Sequence, residues 1–475
     1  MSAHEAGALH APGYGSTAVV PAWLRPPDDV NELLPELWSS TVHRSAAGSL
    51  VAGGVDVRDL AAEFGTPAFV IDEADFRSRA SAFRDAFSEA FGPLGGADVY
   101  YAGKAFLCTA VARWLHADGV RLDTCSGGEL AVGLRAGMPP RHMTLHGNNK
   151  SDAELDRAVQ ARIGRIVIDS VPEIDRLADT AARHGVRAPV LLRVTVGVEA
   201  HTHEYIATAH EDQKFGLSLS GGAAARAVQR ILARPELDLR GLHSHIGSQI
   251  FDTDGFEVAA RRLLGLHAQV SREHGVTLPE MDLGGGFGVA YTSEHDPLAP
   301  KTLADALAEI VRRECRALGV EVPRISVEPG RAIAGPSTFT LYRVGTVKDV
   351  ELEHGTGRRY IAVDGGMSDN IRTALYDADY SCTVASRASR AAPVLARVVG
   401  KHCESGDVVV KVEFLPSDLS AGDLLAVPGT GAYCRSMASQ YNHVPRPPVI
   451  AVRDGVARVL VRRETEDDLL ALDAG

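Results

Sequence analysis

The chain has 475 residues, enough to bury two cores, with 45% apolar and 23% charged side chains. A formal net charge of −12 argues against a nucleic-acid or anionic-membrane surface, although a locally positive pocket for an anionic ligand is compatible with it. No run approaches the roughly twenty apolar residues of a membrane span. The start "MSAHEAGALHAPGYG" lacks the pattern of a secretion signal. The six cysteines (108, 125, 315, 382, 403, 434) are scattered without a C-x-x-C pair, against structural zinc or a disulfide framework. These features imply a cytoplasmic protein with reduced thiols and no metal.

Residues 1–25, rich in Ala, Gly, Pro and Ser, are expected to form a loose tail. Residues 26–65 are expected to pack on a later β-domain, the piece around 48–57 pairing with it. From about 66, short apolar runs alternate with helix-like stretches. The runs are "VYYAGKAF" (99–106), "GVRLDTCS" (119–126), "HMTLHGNN" (142–149), "RIVIDSV" (165–171), "PVLLRVTV" (189–196), "LRGLHSHIGS" (239–248), "EMDLGGGFG" (280–288) and "RISVEPGR" (324–331). Between them lie "TAVARWLHADG" and "SDAELDRAVQAR", the second opening on Ser151, Asp152 and Glu154 as a helix N-terminus does. Eight strands alternating with helices predict a (β/α)8 TIM barrel over 66–336, with a doubly wound open sheet as the competitor. The stretch 197–220 is long for a connection, which suggests a functional loop. After 337 the runs are β-rich and broken by Gly and Asp turns, predicting an all-β domain over 337–475.

In such barrels, chemistry sits at the C-terminal strand ends. Those ends carry Lys104, Cys125-Ser126, His146 with Asn148, Asp169-Ser170, Arg193, His245 with Ser248, Gly284-Gly285-Gly286, and Glu328 with Arg331. A lysine closing an interior strand is unusual, because an ammonium is costly to desolvate. The glycine triplet would let backbone N–H groups approach an anion, and with Ser248 it would form a phosphate cup. A strand-end lysine beside a phosphate site suggests a Schiff base with pyridoxal phosphate. Glu328 would then keep the pyridine nitrogen protonated, making the ring an electron sink. Arg331 suits a phosphate or a substrate carboxylate. His245 suits a place flat against the ring.

The motifs "YYAGKAF", "CSGGEL", "HGNNKS", "EAHTHE", "EDQKFGL", "GLHSHIGSQI", "DLGGGFG", "EPGRAI", "DGGMSDNIRTALY", "GKHCESGD" and "GTGAYCRSMASQYN" resemble, in order, those of the fold-type III pyridoxal phosphate enzymes. That family includes alanine racemase-like barrels, and the likeness is greatest to the actinobacterial diaminopimelate decarboxylases. It runs from about residue 30 to about 460. The resemblance implies that Lys104 carries the cofactor, that His245 stacks on it, and that Ser248 and Gly286 help hold its phosphate. It implies that Glu328, Pro329, Gly330 and Arg331 form a cofactor-binding stretch, with Arg331 also reaching substrate. It implies that Arg372 and Tyr376 bind substrate, that Cys403 donates a proton, and that Glu404 binds the distal amino group. Tyr433 would touch cofactor and substrate. Ile371 and Thr373 replace the prolines usual beside Arg372, implying a small change in loop stiffness. The implied reaction converts meso-2,6-diaminopimelate to L-lysine and CO2, in a homodimer whose active sites lie at the interface.

Taken singly, several of these residues are blander. Cys403 alone would be a buried apolar residue, and Arg372 with Tyr376 a surface pair at helical spacing. His201 and His203 suggest a metal, but no carboxylate cluster of ligand spacing accompanies them. Three alternatives stay open: a decarboxylase of ornithine, lysine or arginine, an amino acid racemase, and a pyridoxal phosphate-binding regulatory protein without catalysis. The racemase needs a second base with no obvious candidate. The inactive protein is disfavoured by the retained Lys104, Glu328 and Cys403.

Overall fold

A computed structural model describes residues 20–197, 214–351 and 357–475. Residues 198–213 of the proposed loop at 197–220, with His201 and His203, and most of the 1–25 tail lie outside the described residues. The chain divides into two compact units, one of Arg77–Gly288 with Pro297–Ala332, the other of the chain up to Phe76, Val289–Asp296 and Ile333–Gly475.

The first unit is a barrel. Its strands are β1 (Ala97–Ala102), β2 (Arg121–Thr124), β3 (Met143–Leu145), β4 (Arg165–Ile168), β5 (Ala188–Thr195), β6 (Leu237–His243), β7 (Glu280–Asp282) and β8 (Arg324–Val327). All eight overlap the apolar runs read from the sequence; β1, β5 and β6 begin one or two residues earlier. Each pairs in parallel with the next. The ring closes where Ile325 and Val327 of β8 face Ala97 and Val99 of β1. An open doubly wound sheet has no such pairing, so the barrel is the observed fold.

Burial on both faces explains the unbroken apolar runs: all of β4 and nearly all of β5 are buried. Between the strands lie helices such as Val171–His184, whose Ile174, Leu177, Ala178 and Ala181 make one buried stripe before the left-handed Gly185 cap. Helix Asp152–Ala161 begins with a full capping box between Ser151 and Glu154. At the N-terminal end of the barrel, Arg165 lies 4.6 Å over the Tyr100 ring and 2.7 Å from Glu280. These charges occupy the N-terminal end of the barrel.

The second unit is built on strand Thr338–Glu351. Its first half pairs with Ala68–Asp72 and with Leu424–Pro428, its second half with Gly357–Val363. Beyond these lie Pro393–Val399 and Val408–Pro416 on one side, Val449–Arg453 and Val456–Val461 on the other. The alternation of runs groups residues 66–76 with the barrel, yet Ala68–Asp72 sits inside this β-sheet, between Thr338–Glu351 and Val449–Arg453. A five-residue run buried at every position suits either sheet, and its local pattern does not choose the partner. The segment around 48–57 makes its own three-stranded sheet (His43–Arg44, Leu50–Ala52, Val55–Asp56). It joins the larger sheet through Leu50 N–H to Ala385 C=O at 2.8 Å. Leu37, Trp38, Leu50 and Leu60 share one core with Phe339, Leu341 and Ile450.

Candidate active site

The C-terminal end of the barrel gathers the residues singled out at the strand ends. Lys104, two residues past β1, is exposed rather than buried, so its ammonium keeps its water. Its positive charge acts on Asp123, Cys125 and His245, which places it over the barrel mouth.

Glu328, just past β8, is buried. The Nε2 atoms of His146 and His243 lie 3.1 and 3.2 Å from its Oε1, yet neither is aligned as a hydrogen bond, and Oε1 has no hydrogen-bond partner. Burial by itself would raise the carboxyl, but the two imidazoles offset this and hold it well below the usual carboxylate range. The same burial, with the Glu328 charge added, pushes Asp123 well up and Asp282 up to about 6. Burial also pulls His146 down to about 4. Negative charge is thereby favoured on Glu328 over the buried carboxyls of Asp123 and Asp282.

His245 is half-buried at the mouth. The backbone N–H of Gly285 donates to its Nδ1 at 3.1 Å. Nδ1 is therefore an acceptor, which puts the ring proton on Nε2. Desolvation, reinforced by the Lys104 charge, pulls this imidazole well below its ordinary range. A neutral, tethered ring suits stacking on an aromatic cofactor.

The glycine triplet is required twice over. A Cβ on Gly284, Gly285 or Gly286 would sit 2.5, 2.1 or 2.3 Å from the carbonyl oxygens of Ser244, Glu328 and Gly247. Three strand ends cross there, so packing alone demands glycine. Gly284 and Gly286 also take φ of 71° and 103°, in the left-handed region that favours glycine. Opposite them, the buried Arg331 donates from Nη2 to Ser248 Oγ at 3.0 Å. Pro329 C=O accepts from Ala102 N–H at 3.3 Å, and a Cβ on Gly330 would approach Ala102 Cβ to 2.9 Å. That contact locks the Glu328–Arg331 turn against β1.

These residues fit pyridoxal phosphate. A buried carboxylate oxygen without a donor suits a protonated ring nitrogen, and a glycine turn facing Ser248 and Arg331 suits a phosphate. The ligand atoms of His146, His243 and Glu328 also lie within 4.8 Å of one another, a spacing that could hold a metal ion. Of these two partners of Glu328, His146 is among the strand-end residues read from the sequence, whereas His243, inside the run 239–248, was not singled out; it closes the observed strand β6.

Other strand-end residues serve structure. Ser126 caps helix Gly127–Ala136 by accepting from Glu129 N–H. Cys125 is exposed; partial desolvation and Glu129 push its thiol up to about 12. Asp169 accepts from Gly216 N–H at 2.9 Å.

The remaining candidates lie in the β-unit. Arg372 opens the short helix Arg372–Tyr376 and is buried, not a surface residue. Its guanidinium stacks 4.7 Å from the Tyr291 ring and 5.5 Å from that of Tyr380, and it donates to the Tyr380 hydroxyl. Its Nε has no hydrogen-bond partner. Tyr376 is half-buried; Cys403 and Glu404 are exposed, so Cys403 is not the buried apolar residue it would be by default. Asp407 accepts from Met367 N–H and His402 N–H at 2.6 and 2.8 Å, clamping the turn before Arg372 to the turn carrying Cys403. Tyr433 sits at φ 62°.

The profile of the family described as "Pyridoxal-dependent decarboxylase, pyridoxal binding domain" matches residues 73–335. The chain is thus a member of the pyridoxal-dependent decarboxylases. A diaminopimelate decarboxylase of Mycobacterium leprae is 53% identical over 477 aligned residues that span all of both chains. One of Bacillus subtilis is 43% identical, covering 91% of this chain and 97% of its own. A crystal structure of diaminopimelate decarboxylase from M. jannaschii in complex with L-lysine superposes with a TM-score of 0.85 at 30% identity, covering 92% of this chain and 98% of that one. The chain belongs to the diaminopimelate decarboxylase family.

Proposed function

We propose that this protein is a cytoplasmic, homodimeric enzyme that removes one carboxylate of meso-2,6-diaminopimelate as CO2 and releases L-lysine. What carries this proposal is kinship to diaminopimelate decarboxylases along the whole chain. The buried Arg372 gives it chemical sense. A fixed guanidinium between two tyrosines suits the second carboxylate of a diacid, which ornithine, lysine and arginine lack.

Bound through Lys104, pyridoxal phosphate supplies the electron sink for the pair left behind when CO2 departs. Gly284, Gly285, Gly286, Ser248 and Arg331 hold its phosphate, and the Pro329-Gly330 turn fixes the height of Arg331. Glu328 keeps a proton on the ring nitrogen, because an ionised carboxylate favours the cationic form. His245 supports one ring face. Arg372, Tyr376 and Tyr433 hold the distal carboxylate end, and Glu404 the distal ammonium. One stereocentre is thereby aimed at the cofactor. Cys403 would supply the proton that replaces the lost carboxylate on the α-carbon, and Lys104 would hold the cofactor between turnovers. In the homodimer we assign Cys403 and Glu404 to the partner's active site.

The test is CO2 release from diaminopimelate, ornithine, lysine and arginine under identical conditions. Turnover of diaminopimelate alone is expected. Comparable kcat/KM for ornithine or arginine would assign a basic amino acid decarboxylase instead. A coloured protein inert on all four would be a binding protein. Cys403→Ala is expected to keep the near-visible absorbance of the bound cofactor while slowing turnover.

A further inference from the structure

Beside Cys403 the chain makes an unusual turn. Asn442 and His443 both take left-handed backbone angles, φ 52° and 54°, which non-glycine residues adopt at a cost and asparagine tolerates best. The turn brings the Asn442 amide against the Cys403 sulfur, with Nδ2 at 3.4 Å and Oδ1 at 3.8 Å.

A second chain of contacts sets how that amide faces. The buried His402 lies with Nδ1 3.0 Å from Asn442 Oδ1 and Nε2 2.8 Å from Ser368 Oγ. An amide oxygen only accepts, so Nδ1 carries a proton and donates to it in either protonation state of the ring. Oδ1 is thereby turned toward His402. Nδ2, a pure donor, is left toward the sulfur. The groups around this sulfur are His402 and Lys401 on its own turn, Glu404 next to it, and Tyr441, whose hydroxyl interacts with Cys403, Glu404 and Asp407. The Tyr441 ring lies 5.3 Å from that of His402.

We propose that Asn442, oriented by His402 and Ser368, is the positioning residue for Cys403: its amide oxygen accepts from the thiol before proton transfer and its amide N–H donates to the sulfur afterwards. The proposal rests on Cys403 being the proton donor. A thiol is a better acid when the thiolate it leaves is already hydrogen-bonded. An asparagine serves both states without carrying charge.

The experiment uses the holoenzyme. The rate of Cys403 alkylation by iodoacetamide is followed against pH, read from the mass of the Cys403 peptide so that Cys125 is resolved from it, and kcat and KM are measured on the same samples. Asn442→Gly removes the amide and accepts the left-handed angle; Asn442→Asp places a carboxylate beside the sulfur. Both are expected to move the alkylation midpoint to higher pH, Asp further than Gly. Each pH unit of displacement slows alkylation about tenfold below the midpoint, and kcat is expected to fall with little change in KM. Ser368→Ala, which leaves the sulfur's neighbours in place, is expected to move both readouts less and in the same direction, which a variant that merely fails to fold does not do. Alkylation profiles superimposable on the wild type would overturn the proposal. So would displaced profiles with unchanged kcat. If Cys403→Ala turned over at the wild-type rate, Cys403 would not be the donor; the alkylation profile, which needs no turnover, keeps that failure apart from absence of the Asn442 contact.

Discussion

Glu328 and Asp369 are both buried carboxylates, and their surroundings send them in opposite directions. His146 and His243 hold Glu328 ionised, as a partner for a ring nitrogen must be. Glu328→Gln keeps the shape and removes the charge. We expect it to retain bound cofactor while kcat falls at least about a hundredfold, roughly 3 kcal/mol of barrier; a kcat within a few-fold of wild type would remove Glu328 from that role. Asp369 is pushed up to about 7, chiefly by burial. It accepts from the Tyr342 hydroxyl and from Gly366 N–H. The folded state therefore keeps its proton while the unfolded chain loses it near pH 4, so stability falls as pH rises from about 4 to 7. The effect is about 4 kcal/mol at most. Asp369→Asn removes that term, so its melting temperature relative to wild type is expected to be higher at pH 8 than at pH 5. An equal difference at both values would contradict the assignment. Glu328 was legible in the sequence because it ends a predicted strand. Asp369 was not, because nothing local to "MSDN" reveals the Tyr342 hydroxyl brought to it from another strand.

At the scale of elements, the loop after β3 is tied to β4 by one buried lysine. Lys150 Nζ donates to Gly147 C=O at 2.8 Å in the loop, to Val167 C=O at 2.5 Å in β4 and to Glu173 Oε1 at 2.6 Å on the helix that follows, both side chains being almost wholly buried. Removing one partner strands the other charge. Lys150→Met is expected to destabilise the barrel by about 3–5 kcal/mol, and the double variant Lys150→Met with Glu173→Leu to recover most of it. Thermal unfolding of the three proteins checks this; a double variant no better than the single would point to the backbone contacts of Lys150 instead. The capping box is a smaller device. Ser151→Ala is expected to cost about 1 kcal/mol, visible as a small fall in melting temperature. Its residues could be read from "SDAE", because a cap is built from neighbours in sequence. The Lys150–Glu173 pair could not, because it joins residues from two successive β/α units.

At the scale of the molecule, the proposed homodimer makes a prediction of its own. Barrel residues such as Lys104 and β-unit residues such as Cys403 would come from different chains of the pair. Lys104→Ala and Cys403→Ala should each be nearly inactive alone. After dissociation and reassociation of a mixture, half the dimers would be mixed and each would hold one intact site, giving about a quarter of wild-type activity. No recovery on mixing would mean that each site is built within one chain.

The sequence by itself determined the eight barrel strands, the residues at their ends and the family, because period, length and motif order are local properties of the chain. Only the tertiary structure decided that Ala68–Asp72 joins the β-sheet, that Lys104 stands exposed at the mouth, and that Arg372 is buried between Tyr291 and Tyr380. It also decided that Glu328 is ionised beside two imidazoles. Those outcomes depend on which distant segments meet, and a buried strand or a charged side chain takes its partner and its protonation from contacts that close only when the chain folds.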